Sequence, residues 1–177
     1  MVESDVAYSH LTFEDDEDFN AIKRLIGDDL SEPYSIYVYR FFLNQWPELC
    51  KIAKVNGVLI GVIVCKLEPH RNARLRGYIG MLAVKKEFRG RGIAKSLVKQ
   101  AIQEMIDSGC DEIMLETEAV NIPAITLYEN MGFMRSKRLY RYYLNQHDAY
   151  RLILPITEKA TIRSGFLEKL DPNAQDV

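Results

Sequence analysis

The chain has 177 residues, 47% of them hydrophobic and 27% charged, with 23 basic and 25 acidic side chains and a formal net charge of −2. That length suits one ordinary core, and the composition excludes a disordered or fibrous chain and a globally basic nucleic-acid binder. No run approaches about 18 uncharged apolar residues, so no membrane-spanning helix is expected, and the acidic start Met1-Val2-Glu3-Ser4-Asp5 is unlike a signal peptide.

Tyr8 to Phe13 reads as a first strand. The acidic run Glu14-Asp15-Asp16-Glu17-Asp18 then leads into a helical pattern over Asp18 to Leu30, with Phe19, Ile22, Leu25 and Ile26 on its apolar face. Acids at a helix start complement the macrodipole. Ser31-Glu32-Pro33-Tyr34 breaks that helix, and a short one follows from Ile36 to Asn44, ended by Trp46-Pro47. Cys50 to Val55, the turn Asn56-Gly57 and Val58 to Leu67 form a hairpin; Asn-Gly between apolar runs is the strongest short-range signal for one. Glu68 to Arg74 reads as a polar loop, and Arg76 to Val84 as the third strand of that sheet.

The clearest helix repeats Ile93, Leu97, Val98, Ala101, Ile102, Met105 and Ile106 at three and four, and stops at Ser108-Gly109. The strand Ile113 to Glu118 places Ile113, Leu115 and Thr117 on one face and Met114, Glu116 and Glu118 on the other. Pro123 suits the first turn of a short helix closed by Gly132. Two last strands, Phe133 to Leu144 and Ala149 to Leu154, flank Asn145-Gln146-His147-Asp148, and the tail from Thr157 is polar. The order is that of a single α/β layered domain, residues 1–156, with a tail over 157–177. Cys50, Cys65 and Cys110 lie far apart and His10, His70 and His147 are scattered, so free thiols in a reducing cytoplasm, and no metal site, are expected.

Charge concentrates where chemistry is expected. Lys85, Lys86, Arg89, Arg91, Lys95 and Lys99 face Glu87 alone, a local excess of five, and Arg135, Lys137, Arg138 and Arg141 form a second basic run. Within the first lies Arg89-Gly90-Arg91-Gly92-Ile93-Ala94, joining a strand to the clearest helix. Glycine allows close backbone approach, and the helix start offers free N–H groups at its positive end, so the loop suits a phosphate. It is not a Walker loop, because Arg89 and Ala94 stand where that pattern needs glycine before Lys95-Ser96. Nor is it a dinucleotide loop, because Lys95 replaces the third glycine.

Arg-x-x-Gly-x-Ala at such a loop resembles the acetyl-coenzyme A signature of the GCN5-related N-acetyltransferases (the GNAT family). Asn121, Ala124, Leu127-Tyr128-Glu129 and Gly132-Phe133 resemble that family's second cofactor motif. The likeness narrows over Leu30 to Arg40, Asn44 to Glu48, Pro69 to Asn72, Arg76 to Val84, Glu116-Thr117-Glu118 and Arg141 to Asn145. These are similar to the catalytic subunits of N-terminal acetyltransferase C (NatC), over roughly Phe19 to Pro155.

The resemblance implies a GNAT-type fold, with a mixed, mostly antiparallel twisted sheet flanked by helices. It implies acetyl transfer from acetyl-CoA, without a metal, to the N-terminal Met of nascent chains with a bulky apolar second residue (Met-Leu, Met-Ile, Met-Phe, Met-Trp). Glu116 would be the base, with Glu118 as the fallback, and Tyr128 the proton donor to the departing thiolate. Leu82, Ala83 and Val84, the loop Arg89, Gly90, Arg91, Gly92, Ile93 and Ala94, and Asn121 would bind the cofactor. Glu32, Pro33, Tyr34, Tyr142 and Tyr143 would hold the peptide. The implied partners are a large and a small auxiliary subunit and, through them, the ribosome; the implied location is cytoplasmic, with no membrane and no sequence-specific nucleic acid. Three rivals stay open: a lysine or small-amine acetyltransferase of the same fold, a noncatalytic acyl-CoA-binding subunit, and a ribosome-binding module using the basic runs.

Overall fold

The computed structural model describes residues 5–12, 16–29 and 34–161. Strand β1 (Ala7–His10) is shorter than expected. Helix α1 (Asp16–Asp29) opens on Asp16, Glu17 and Asp18 and buries Phe19, Ile22, Leu25 and Ile26. Helix α2 (Ile36–Gln45) gives way at Trp46 to a 3-10 turn, Pro47–Leu49. Strands β2 (Cys50–Val55) and β3 (Val58–His70) meet at Asn56 and Gly57, whose φ values of 49° and 76° are the paired positive angles of a tight hairpin.

The expected polar loop from Glu68 to Arg74 does not exist. β3 runs on to His70 and β4 (Arg74–Val84) starts at once, across a turn with Arg71 and Asn72 at φ 49° and 50°. Ala73 N–H donates to His70 O at 3.1 Å. Backbone pairing carries this hairpin past the apolar stretch, and such an extension leaves no hydrophobic signal.

Helix α3 (Ile93–Asp107) closes as its Ser108-Gly109 stop foretold. Gly109 takes φ 85°, its N–H donates to Ile106 O at 2.9 Å, and Cys110 N–H reaches back to Met105 O at 3.1 Å. Strand β5 (Glu112–Glu118) buries Ile113, Leu115 and Thr117, as alternation required. Helix α4 (Ile122–Asn130) has Pro123 in its first turn and Asn121 as N-cap. Strand β6 (Met134–Leu139) stops well short of the expected Leu144, and β7 (Ala149–Pro155) pairs with it. Leu139 opposite Ala149 is the last pair, so Tyr140 to Asp148 have no strand to extend against.

The strand order is β1-β2-β3-β4-β5-β7-β6. β4 and β5 run parallel, whereas β1–β2, β2–β3, β5–β7 and β6–β7 are antiparallel, so the mixed, mostly antiparallel α/β sheet is as expected. By contact the chain divides into two compact units, Met1–Lys66 with Ile79–Glu104, and Leu67–Tyr78 with Met105–Val177. Ile22, Ile26, Ile60, Ile63 and Leu97 centre the first core, and Met105, Ile113, Leu115 and Leu152 the second. The three thiols are free and buried; burial pushes Cys50 up to about 12, Cys110 up to about 11 and Cys65 well above its usual value, so all three are inert packing groups. No helix among the described residues is long and apolar enough to cross a membrane.

Within the second unit, the Glu112 side chain is 1% exposed and takes Arg74 Nη1 at 3.2 Å and Arg76 Nε at 2.9 Å. A charge so buried is tolerated only with such partners. Glu112→Ala should therefore lower stability by about 3–5 kcal/mol, because Arg74 would stay buried without its carboxylate. Chemical denaturation reads this directly, and a loss below about 1 kcal/mol would show that the cluster carries no such weight.

Candidate active site

In the first unit, β4 ends at Val84 and the chain turns through a 3-10 turn, Lys86–Phe88, into Arg89-Gly90-Arg91-Gly92 and α3. Arg89 Nε donates back to Val84 O at 3.1 Å, and Arg91 Nη2 to Glu87 O at 3.3 Å. Arg91 also lies 5.1 Å over the Phe88 ring. The arginines thus brace the loop from behind. Gly90 and Gly92 sit at φ 75° and 77°, and a Cβ at either would point into open space. Gly92 O accepts Ser96 N–H at 2.9 Å and starts the helix, so the first amides of α3 have no intrahelical acceptor. With the helix dipole and the surrounding cations, such a helix start is suited to phosphate oxygens.

The strand before the loop is the second candidate. β4 pairs with β5 only from Arg76 to Tyr78, opposite Glu112 to Met114. From Ile79 to Val84, including the expected Leu82, Ala83 and Val84, that edge has no β5 partner. Its amides can pair with an extended ligand, as in strand addition. Ala83 and Val84 are buried and Leu82 is half-buried, so the backbone, more than the side chains, is what this edge offers.

The second unit holds the acid–base candidates. Glu116, its side chain 6% exposed, receives Tyr78 Oη on Oε2 at 2.7 Å and Arg151 Nη2 on Oε1 at 3.1 Å. Tyr128 is 4% exposed and meets Phe133 edge-on at 5.4 Å. Glu118 takes His147 Nδ1 at 2.7 Å and Asn145 Nδ2 at 3.3 Å. The structure therefore separates the two acids: Glu116 is held from β4 and β7, Glu118 from the loop after β6. Asn121 Oδ1 accepts Ala124 N–H at 3.2 Å, so that side chain is occupied as a helix cap.

The expected peptide residues are spread. Glu32 and Pro33 lie outside the described residues. Tyr34, in the first unit, is half-buried and meets Tyr39 edge-on at 6.4 Å. Tyr142 and Tyr143, in the second, stand in the loop after β6, edge-on to each other at 5.1 Å. Asp148 braces this loop, accepting Arg141 N–H at 2.9 Å and Arg138 Nε at 2.8 Å. These contacts, led by the Arg141 amide, hold its carboxyl below the usual carboxylate range. A lowered carboxyl stabilises above its ordinary pKa and loses that effect only as pH falls through the lower folded value, so the brace is intact at neutral pH.

Tyr78 and Arg151 escaped the sequence reading. The signal for Arg151 exists only in the register: it sits directly opposite Glu116 in the β5–β7 ladder, an opposite-charge cross-strand pair. Tyr78 reaches Glu116 because β4 and β5 are neighbours, which their 38-residue separation conceals.

The acetyltransferase (GNAT) family model matches residues 19–133. The chain is 60% identical over 168 residues to N-alpha-acetyltransferase 30 of Saccharomyces cerevisiae, covering 92% of this chain and 96% of that relative. It is 52% identical over 145 residues to N-alpha-acetyltransferase 30 of Homo sapiens, covering 82% of this chain but 40% of that relative. Among solved structures, a chain of the NatC complex bound to Gag peptide and CoA is similar with a TM-score of 0.83 at 60% identity, covering 86% of this chain and 99% of that one.

Gly92→Glu combines an unfavourable positive φ with a carboxylate at the cradle mouth. It should weaken acetyl-CoA binding by about 10-fold or more. Titration calorimetry on the folded variant measures this, and unchanged affinity would remove the loop from the binding site.

Proposed function

Because the chain belongs to the acetyltransferase (GNAT) family, among its N-alpha-acetyltransferases, we propose that it acetylates the N-terminal Met of nascent chains whose second residue is bulky and apolar. It does so as the catalytic subunit of a NatC-type assembly, with a large and a small auxiliary subunit, at cytoplasmic ribosomes. Residues 1–156 form the catalytic domain and 157–177 a polar tail. The observation that carries this reading is Glu116, a nearly buried carboxylate of β5 held by Tyr78 and Arg151.

Acetyl-CoA lies with its phosphates on the Gly90–Gly92 loop and its pantetheine amides against Leu82–Val84. An α-amine has a pKa of about 7.7–8.0, so much of it is protonated at pH 7 and must lose a proton before or during attack. Arg151 occupies one oxygen of Glu116, and Oε2, engaged by a single hydroxyl, keeps a lone pair to accept that proton directly or through a water. The amine nitrogen attacks the thioester carbon, and the oxyanion is stabilised by a strand N–H near Leu82. The C–S bond then breaks, and Tyr128 protonates the departing thiolate. Tyr34, Tyr142 and Tyr143, with Glu32 and Pro33, hold the peptide; tyrosine offers an apolar wall with one hydroxyl for the backbone.

Glu116→Gln and Tyr128→Phe should each lower kcat by about 10²–10⁴-fold while acetyl-CoA still binds. Near-normal kcat in both would move the chemistry to another group. For the substrate, burying a Leu-sized side chain is worth about 1.5–3 kcal/mol, so Met-Leu should exceed Met-Gly by roughly 10- to 150-fold in kcat/KM. Met-Asp should be worse, because its charge is desolvated without a partner. A panel of peptides differing in the first two residues tests this. Equal rates for Ser-, Ala- or Met-Asp- and Met-Leu-starting peptides, with the auxiliary subunits present, would defeat the NatC assignment and leave the fold untouched.

A further inference from the structure

Glu118 lies two residues beyond Glu116 on the same face of β5, and it is engaged quite differently. Its side chain is 14% exposed and receives His147 Nδ1 at 2.7 Å. An ionised carboxylate only accepts, so the imidazole carries its proton on that nitrogen. His147 is also the hub of the loop after β6. Its carbonyl accepts both Tyr142 N–H, at 3.1 Å, and Tyr143 N–H, at 3.3 Å. Its own N–H donates to Asn145 Oδ1 at 3.0 Å, while Asn145 Nδ2 donates to the second oxygen of Glu118 at 3.3 Å. Gln146 N–H closes the turn onto Tyr143 O at 2.8 Å. The loop has no strand partner, and Arg141 and Gln146 both sit at positive φ, 45° and 63°. Two side chains of the loop, His147 and Asn145, thus reach one carboxylate of β5, beside the backbone bond from Ala119 N–H to Asp148 O at 2.8 Å.

We propose that Glu118 and His147 are positioning residues: Glu118 grips His147, and through the His147 carbonyl fixes where Tyr142 and Tyr143 stand relative to the strand that carries Glu116. This rests on the reading of the two tyrosines as the peptide wall. The tether acts on peptide binding, not on proton transfer. The loop keeps its Asp148 brace, so variants at His147, which is 48% exposed, retain the fold.

The experiment is steady-state kinetics on the full chain, co-purified with its auxiliary subunits, using a Met-Leu peptide. His147→Ala and Glu118→Ala should each raise peptide KM by about 10-fold, the order expected for losing a hydrogen bond to a charged group. The KM for acetyl-CoA and kcat should stay within about 2-fold, the mark of lost binding that ground and transition states share. His147→Asn places an amide N–H where Nδ1 stood and should restore most of the peptide KM. Glu118→Gln keeps an acceptor and should be milder than Glu118→Ala. A kcat loss of about 100-fold or more in Glu118→Gln would instead make Glu118 an acid–base group and overturn the proposal. The double variant Tyr142→Ala with Tyr143→Ala tells the two readings apart. If it raises peptide KM while the His147 and Glu118 variants do not, the tether alone is lost. If it leaves peptide KM unchanged, the peptide-wall reading fails and the tether fails with it.

Discussion

The short parallel ladder between β4 and β5 is the constraint on which the candidate site depends. Three residue pairs hold it, Arg76 to Tyr78 against Glu112 to Met114. At one end the buried Glu112 pairs with both Arg74 and Arg76, so ion pairs as well as backbone hydrogen bonds hold the ladder. At the other end Tyr78 reaches across to Glu116. Parallel neighbours cannot be joined by a tight turn, so the whole of α3 lies between them in the chain. The connection that permits the ladder also supplies the glycine loop and the helix start of α3.

Charged side chains are engaged differently in the two units. Arg89 Nε donates to the Val84 carbonyl and Arg91 Nη2 to the Glu87 carbonyl. Arg151 instead faces a carboxylate across a ladder. In the second basic run, Arg135 pairs with Glu129 and Arg138 with Asp148, while both lie over the Tyr150 ring.

Glu116 and Glu118, which share a face of β5 with the buried Glu112, show how position within one strand separates partners. Alternation puts Glu116 and Glu118 on the same side, and by residue type they are equivalent. Their partners divide them. Glu116 stands opposite Arg151 within the ladder, whereas Glu118 stands opposite Ala149, where β7 begins and the loop after β6 comes within reach. The two carboxylates are thus engaged differently because Glu118 pairs at the last position of the ladder, beside the loop.

Local signals were enough for much of the fold. Helix α3 with its glycine stop, the Asn56-Gly57 hairpin, the Asn121-Pro123 helix start and the buried face of β5 all depend on residues within a few positions of one another, and the sequence carries them in full. The glycine loop at the start of α3 was legible for the same reason. What the sequence did not reveal depends on partners distant in the chain. β3 outruns its apolar segment because β4 pairs with it. β6 stops at Leu139 because β7 offers no further partner. Tyr78 and Arg151 meet Glu116 only through sheet neighbourhood and register. Side-chain chemistry and short-range periodicity are properties of the sequence itself, but which strand lies beside which, and where the ladder ends, is settled only when the whole core packs.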